Sequence, residues 1–162
     1  MCPKLTSWTA LAAATTALAG PATGAAPARA AAAPVQVPVA VLHSHGEVLV
    51  IAPLSINRRR ALFVVDTGAS GSLIDKRAAK KLHLPRVGRV QHFSGVGCGS
   101  SSQPVRVSNW SLGSIRLASR RISSTKFSLG GGLVVGLLGS DVLSSFGKVS
   151  IDYAHQVMTL GG

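Results

Sequence analysis

The sequence predicts an all-β domain with one or two short helices, and three observations lead there. From Val39 to Leu160 the chain is a succession of short runs rich in Val, Ile and Leu, each bounded by Gly, Ser, Asn or Pro, the pattern of strands joined by tight turns. Only residues 75–84 and 140–146 carry helical signals, and both stretches are short. No self-similarity at solenoid spacing is visible, so one core built from paired strands is expected.

The elements begin after a leader. Lys4 gives a positive start, residues 8–19 are apolar and Ala-rich, and Ala28-Arg29-Ala30 offers the small residues a signal peptidase reads. Residues 1–30 are therefore expected to be a signal peptide cleaved near Ala30, leaving a protein that is secreted or associated with the cell envelope. Thr15, Thr16, Gly20 and Pro21 interrupt the apolar stretch well short of the ~20 residues a bilayer span needs. Residues 31–38, rich in Ala and Pro and without a period, read as a flexible lead-in, so the folded domain is expected over residues 39–162.

Residues 39–43, 47–57 and 61–66 are the first three strands. Asn57-Arg58-Arg59-Arg60 is the turn between the last two, with its arginines in water. Residues 75–84 set Ala78, Ala79, Leu82 and Leu84 among Lys and Arg ahead of Pro85, which predicts a helix with Asp75 at its N-terminus. Residues 88–109 read as a hairpin whose arms flank the Gly-rich tip Ser94-Gly95-Val96-Gly97-Cys98-Gly99. Residues 110–117 and 121–127 are further strands, and 128–132 a flexible link into the apolar run 133–138. Residues 140–146 read as a helix capped by Ser140 and closed by Gly147, and residues 148–153 and 156–160 as a hairpin turning at Ala154-His155.

Composition narrows the function classes. Seventeen Lys and Arg face five acidic residues, and loss of Lys4 and Arg29 with the leader still leaves fifteen against five. That charge favours either plain solubility or anionic surfaces such as wall polymers, lipid headgroups or acidic proteins. No basic patch interleaved with aromatics accompanies it, so nucleic acid is not an expected partner. Cys98 would be the one cysteine of the mature chain, which rules out a disulfide framework; it is either a small tip residue or a thiol open to oxidation. His43, His45, His83, His92 and His155 show no structural-zinc spacing, and neither a metal nor another cofactor is expected.

The chemistry-bearing feature is Phe63-Val64-Val65-Asp66-Thr67-Gly68-Ala69-Ser70, an apolar strand running into a carboxylate at a glycine turn. A charge there is costly unless donors hold it, and Thr67 and Gly68 can supply backbone N–H groups and a hydroxyl. Asp66 is then either a strand-ending Asx turn or a poised catalyst. Some seventy residues on stands Gly136-Leu137-Leu138-Gly139-Ser140-Asp141, followed by Phe146 and Ile151-Asp152-Tyr153.

Taken together these parts resemble the retropepsin-like aspartic peptidases, over nearly all of residues 48–160. The resemblance implies a closed or partly open β-barrel of the aspartic-protease half-domain type and an obligate dimer. It implies that Asp66 is catalytic, that Thr67, Gly68, Ala69 and Ser70 support its loop, and that Thr67 bonds across a two-fold axis. It further implies that Gly95, Val96 and Gly97 form a flap over substrate, and that Leu137, Leu138 and Gly139 pack under the catalytic loop. The chain carries one Asp-Thr-Gly, and neither Asp141 nor Asp152 is followed by Thr-Gly, so the second carboxylate is expected from another copy. Asp141 reads instead as a helix-start carboxylate and Asp152 as structural. Ala69 lacks the hydroxyl a Ser could donate, which predicts activity from weakly acidic pH towards neutrality. The function implied is hydrolysis of extended peptides by a secreted homodimeric aspartic endopeptidase; the alternative is a non-catalytic envelope protein of the same fold that binds peptides or anionic polymers.

Overall fold

The computed structural model describes residues 33–162 apart from 45, 94–99 and 128. The expected signal peptide and the hairpin tip with Gly95, Val96, Gly97 and Cys98 therefore lie outside the described residues.

In chain order, β1 is Val35–Pro38, β2 Ala40–Ser44, β3 Glu47–Ile56, β4 Arg59–Val65 and β5 Leu73–Asp75. Helix α1 is Lys76–Lys81, followed by β6 Gln91–Phe93, β7 Ser100–Val107, β8 Trp110–Leu112, β9 Ile115–Arg116 and β10 Arg120–Thr125. Then come β11 Val134–Leu138, α2 Ser140–Leu143, a 3-10 turn Ser144–Phe146, β12 Val149–Asp152 and β13 Val157–Leu160.

On β11 and β13 burial alternates with the period of a pleat: Gly136 and Leu138 are buried on β11, Met158 and Leu160 on β13. The main sheet runs β6-β7-β10-β5-β11-β4-β3-β8-β9, with β2 also on β3, and curls as a partly open half-barrel. A second sheet, β1-β13-β12, closes over it. The core between them includes Phe63, Ile74, Leu54, Ile56, Trp110, Leu112 and Leu138 from the main sheet and Val37, Met158 and Leu160 from the small one. Among the described residues no helix is long and apolar enough to cross a membrane.

What positions the site is the middle of the main sheet. β4 leaves the core at Val65, the chain loops through residues 66–72, and β5 returns; β11 then lies between them, parallel to β4 and antiparallel to β5. β11 can thread there because Gly136 faces Phe63. A Cβ at Gly136 would overlap the Phe63 ring and come within 2.6 Å of the Leu73 carbonyl oxygen.

Several expected boundaries change. Val35–Pro38, read as lead-in, is a strand paired along its whole length with β13, because its partner lies at the far end of the chain. Residues 110–117 are a hairpin, β8 on β9, turning at Gly113 in the positive-φ region. The turn between β3 and β4 is only Asn57 and Arg58, both at positive φ, the two-residue hairpin geometry. Arg59 lies on β4 and donates to the Lys81 carbonyl (3.2 Å) while Asn57 donates to that of Leu82 (2.7 Å), so this turn caps the end of α1. Helix α2 is not capped by Ser140: Gly139 is its N-cap and no side chain bonds there.

Candidate active site

The apolar residues of β4 carry the chain to Asp66, whose own N–H donates to the Leu138 carbonyl (3.0 Å) and so continues the β4–β11 ladder by one residue. There the backbone turns away, and the carboxylate folds back on the turn. Asp66 Oδ1 accepts the N–H of Gly68 (2.9 Å) and of Ala69 (3.2 Å), a double charge-assisted anchor. The donors are thus Gly68 and Ala69 rather than Thr67 and Gly68. Oδ2 accepts no bond among the described residues and is left to whatever meets the half-buried carboxylate.

The loop is braced from below by the start of α2. Ser140 N–H donates to the Ala69 carbonyl (2.8 Å) and Ser140 Oγ to the Thr67 carbonyl (2.6 Å). Gly139 is pressed against the loop so closely that a Cβ there would sit 2.7 Å from the Gly71 carbonyl carbon and 2.9 Å from the Ala69 carbonyl oxygen. Leu138 is fully buried and Leu137 partly so. Thr67 and Ser70 are exposed beside Asp66.

Sequence reasoning missed a second brace. Ser72 is buried, with its hydroxyl accepting the Gly139 N–H (2.9 Å) and donating to Asp141 Oδ1 (2.7 Å). Asp141 Oδ2 in turn faces Arg120 at 3.7 Å. Asp141 therefore stands in the first turn of α2, as expected, and its carboxylate also serves Ser72 and Arg120. Ser72 lies one residue before β5 and is buried, as Ile74 is, and a buried hydroxyl needs partners.

The remaining aspartates are committed elsewhere. Asp75 Oδ1 caps α1 by accepting from Arg77 (2.8 Å) and Ala78 (3.1 Å), and its Oδ2 accepts the Phe127 N–H (3.2 Å). Burial pushes its pKa up, but the N–H groups of Phe127, Ala78 and Arg77 together outweigh that and hold it below the ordinary value. Asp152 binds the backbone and ring of His155, which hold its pKa down, and Glu47 is exposed at the head of β3. Among the described residues no cluster of three His, Cys, Asp or Glu could hold a metal ion. β6 and β7 pair as the arms of the expected flap, Phe93 opposite Ser100.

Comparison with solved structures gives a retropepsin-like aspartic protease from Rickettsia conorii at 18% identity and a TM-score of 0.56, covering 79% of this chain and 89% of that one. The retroviral protease-like domain of Ddi1 from Leishmania major matches at 18% identity and a TM-score of 0.45, over 69% of this chain and 86% of that one. The EIAV protease complexed with the inhibitor HBY-793 matches at 22% identity and a TM-score of 0.47, over 68% of this chain and 100% of that one. The first of these shares the fold. No curated protein matches in sequence. The aspartyl protease family model matches residues 52–142, more than half of the chain and a span that includes both the Asp66 loop and the Gly139 brace beneath it. The chain therefore belongs to the aspartyl protease family and has a retropepsin-like fold.

Proposed function

We propose that the protein is an endopeptidase whose active site forms when two copies pair and bring their Asp66 carboxylates together. The observation that carries this reading is the state of the five acidic residues. Asp75, Asp141 and Asp152 are engaged by backbone, hydroxyl, guanidinium or imidazole groups, and Glu47 stands at a strand end. Asp66 alone combines an anchored oxygen with a free one, so a second carboxylate of the same kind must come from a second copy. A two-fold pair supplies it with identical surfaces.

Two such carboxylates share one proton, because both cannot ionise cheaply side by side. The ionised Asp66 takes a proton from water as the water oxygen bonds to the scissile carbonyl carbon, and the protonated Asp66 gives its proton to the carbonyl oxygen. Collapse of the tetrahedral diol delivers a proton to the amide nitrogen and breaks the C–N bond. Gly68 and Ala69 N–H hold each inner oxygen throughout, and in this reading the exposed Thr67 bonds across the axis. The leader-like N-terminus supports action outside the cytoplasm, on extended peptide or protein substrates.

The test is cleavage of an unbiased peptide pool by the parent and by Asp66→Asn across a pH series, with oligomeric state measured in parallel. Cleavage by the parent alone, and only where it is dimeric, is expected, with the rate highest between weakly acidic pH and neutrality. A confirmed dimer that cuts nothing at any pH would overturn the reading.

A further inference from the structure

Away from the Asp66 loop the molecule has a larger concave surface, an open groove of about 950 Å³ between α1, the Lys126–Phe127 segment and the start of β11. Its rim carries Lys76, Arg77, Lys80 and Lys81 from α1 together with Arg86 and Lys126, all exposed. The ion pairs among the described residues are Arg120 with Asp141 and Asp152 with His155, so none of the six rim cations has a carboxylate within ion-pair distance. Asp75 is the one acid in the groove wall, and both its oxygens are already taken by the backbone N–H groups of Arg77, Ala78 and Phe127. Six converging positive charges repel one another, and an anion in the groove would relieve that repulsion.

The floor narrows the kind of anion. It is built from Ala78, Phe127, Val134 and Val135, of which Phe127 and Val135 remain partly exposed. A phosphate polymer or a lipid headgroup gains nothing from an apolar floor, whereas an extended peptide presents alternate side chains to opposite sides. The volume lies at the upper end of the roughly 300–1,000 Å³ typical of ligand sites, room for a run of residues rather than one ion. We propose that this groove docks an extended acidic segment of another protein, its carboxylates on the Lys and Arg rim and its intervening apolar side chains on the Phe127–Val135 floor. Nothing in this docking requires the Asp66 chemistry.

The experiment reads binding without cleavage: the full chain carrying Asp66→Asn is titrated into a fluorescein-labelled peptide of alternating Glu and Leu, and anisotropy is recorded. Saturable binding that weakens as salt rises is expected. Reversal of charge at Lys76, Lys80 and Lys126 to Glu should weaken it by about tenfold or more, while Arg116→Glu, on β9 outside the groove, should leave it nearly unchanged. Lys126→Glu alone should produce a smaller loss in the same direction, which separates docking from a folding defect in the triple variant. Equal binding of a Gln-Leu peptide, an equal effect of Arg116→Glu, or tighter binding of polyphosphate or of phosphatidylglycerol vesicles than of the peptide would overturn the proposal. Peptidase assays are independent of every arm, so loss of the catalytic reading would leave this one standing.

Discussion

Asp66 and Asp75 stand at the ends of two strands of one sheet that flank β11, and each turns a carboxylate oxygen onto the N–H groups two and three residues ahead. For Asp66 these are Gly68 at 2.9 Å and Ala69 at 3.2 Å; for Asp75 they are Arg77 at 2.8 Å and Ala78 at 3.1 Å. The two part at the other oxygen. Asp75 Oδ2 accepts the Phe127 N–H from 52 residues away, whereas Asp66 Oδ2 accepts nothing among the described residues. A local turn is therefore enough to make a charge tolerable at a strand end. Whether that charge is used up in structure or left for chemistry is decided by a partner distant in sequence.

The sharpest way to break the comparison is to neutralise each acid. Asp66→Asn keeps an oxygen for the Gly68 and Ala69 N–H groups, so the fold should survive while peptide cleavage falls by about 10²–10⁴-fold or more, the usual worth of a general acid or base. Asp75→Ala should leave cleavage nearly intact, because the residue touches α1 and Phe127 rather than the Asp66 loop. Activity lost equally in both variants would mean that the second oxygen does not distinguish them.

The brace beneath Asp66 offers the next two effects. Gly139→Ala would press a methyl against the Gly71 and Ala69 backbone, and neither can yield without moving the loop. The expected result is a stability loss of about 1–3 kcal/mol by urea unfolding, and a fall in rate of about 10²-fold from displacement of Asp66. Ser72→Ala would leave the buried Gly139 N–H unpaired and remove a donor from Asp141, costing roughly 1–3 kcal/mol. Its effect on rate should be smaller than that of Gly139→Ala, since the close contact of Gly139 with the loop remains. A Ser72→Ala chain as stable as the parent would show that water replaces the hydroxyl.

These effects also mark where the sequence stopped being legible. Strands and the Asp66 loop could be read because short Val, Ile and Leu runs bounded by turn residues, and an acid at a strand end before a glycine, are local signals. Ser72 could not be told from Ser70, two residues away in the same polar stretch, yet one is buried and the other exposed. Only a partner 69 residues on, the Asp141 carboxylate, separates them. The same distance hid Val35–Pro38, whose Pro and Ala context read as a lead-in while its partner is β13. The β8–β9 hairpin was missed for a different reason: Gly113 is a local turn signal, and the apolar residues on both sides masked it.

The smallest expected effect concerns acid. Asp75 titrates below its ordinary value of 3.8 in the folded chain, because three N–H donors and the Arg77 charge outweigh the opposing effect of partial burial. A carboxylate depressed on folding contributes stability that is fully present above its unfolded value and is lost as pH falls through its folded one. The gap in urea midpoint between parent and Asp75→Ala, set by a cap and a hydrogen bond worth together about 1–3 kcal/mol, should be constant from neutrality down to about pH 4 and narrow below 3.8. Asp152 is depressed in the same sense by His155 and stays in both chains, so it cancels from the difference. A gap that widened on acidification would mean that Asp75 is held in the folded protein as the neutral acid. The contrast between a saturated Asp75 and an open Asp66 would then have to be drawn on the protonated form rather than the carboxylate.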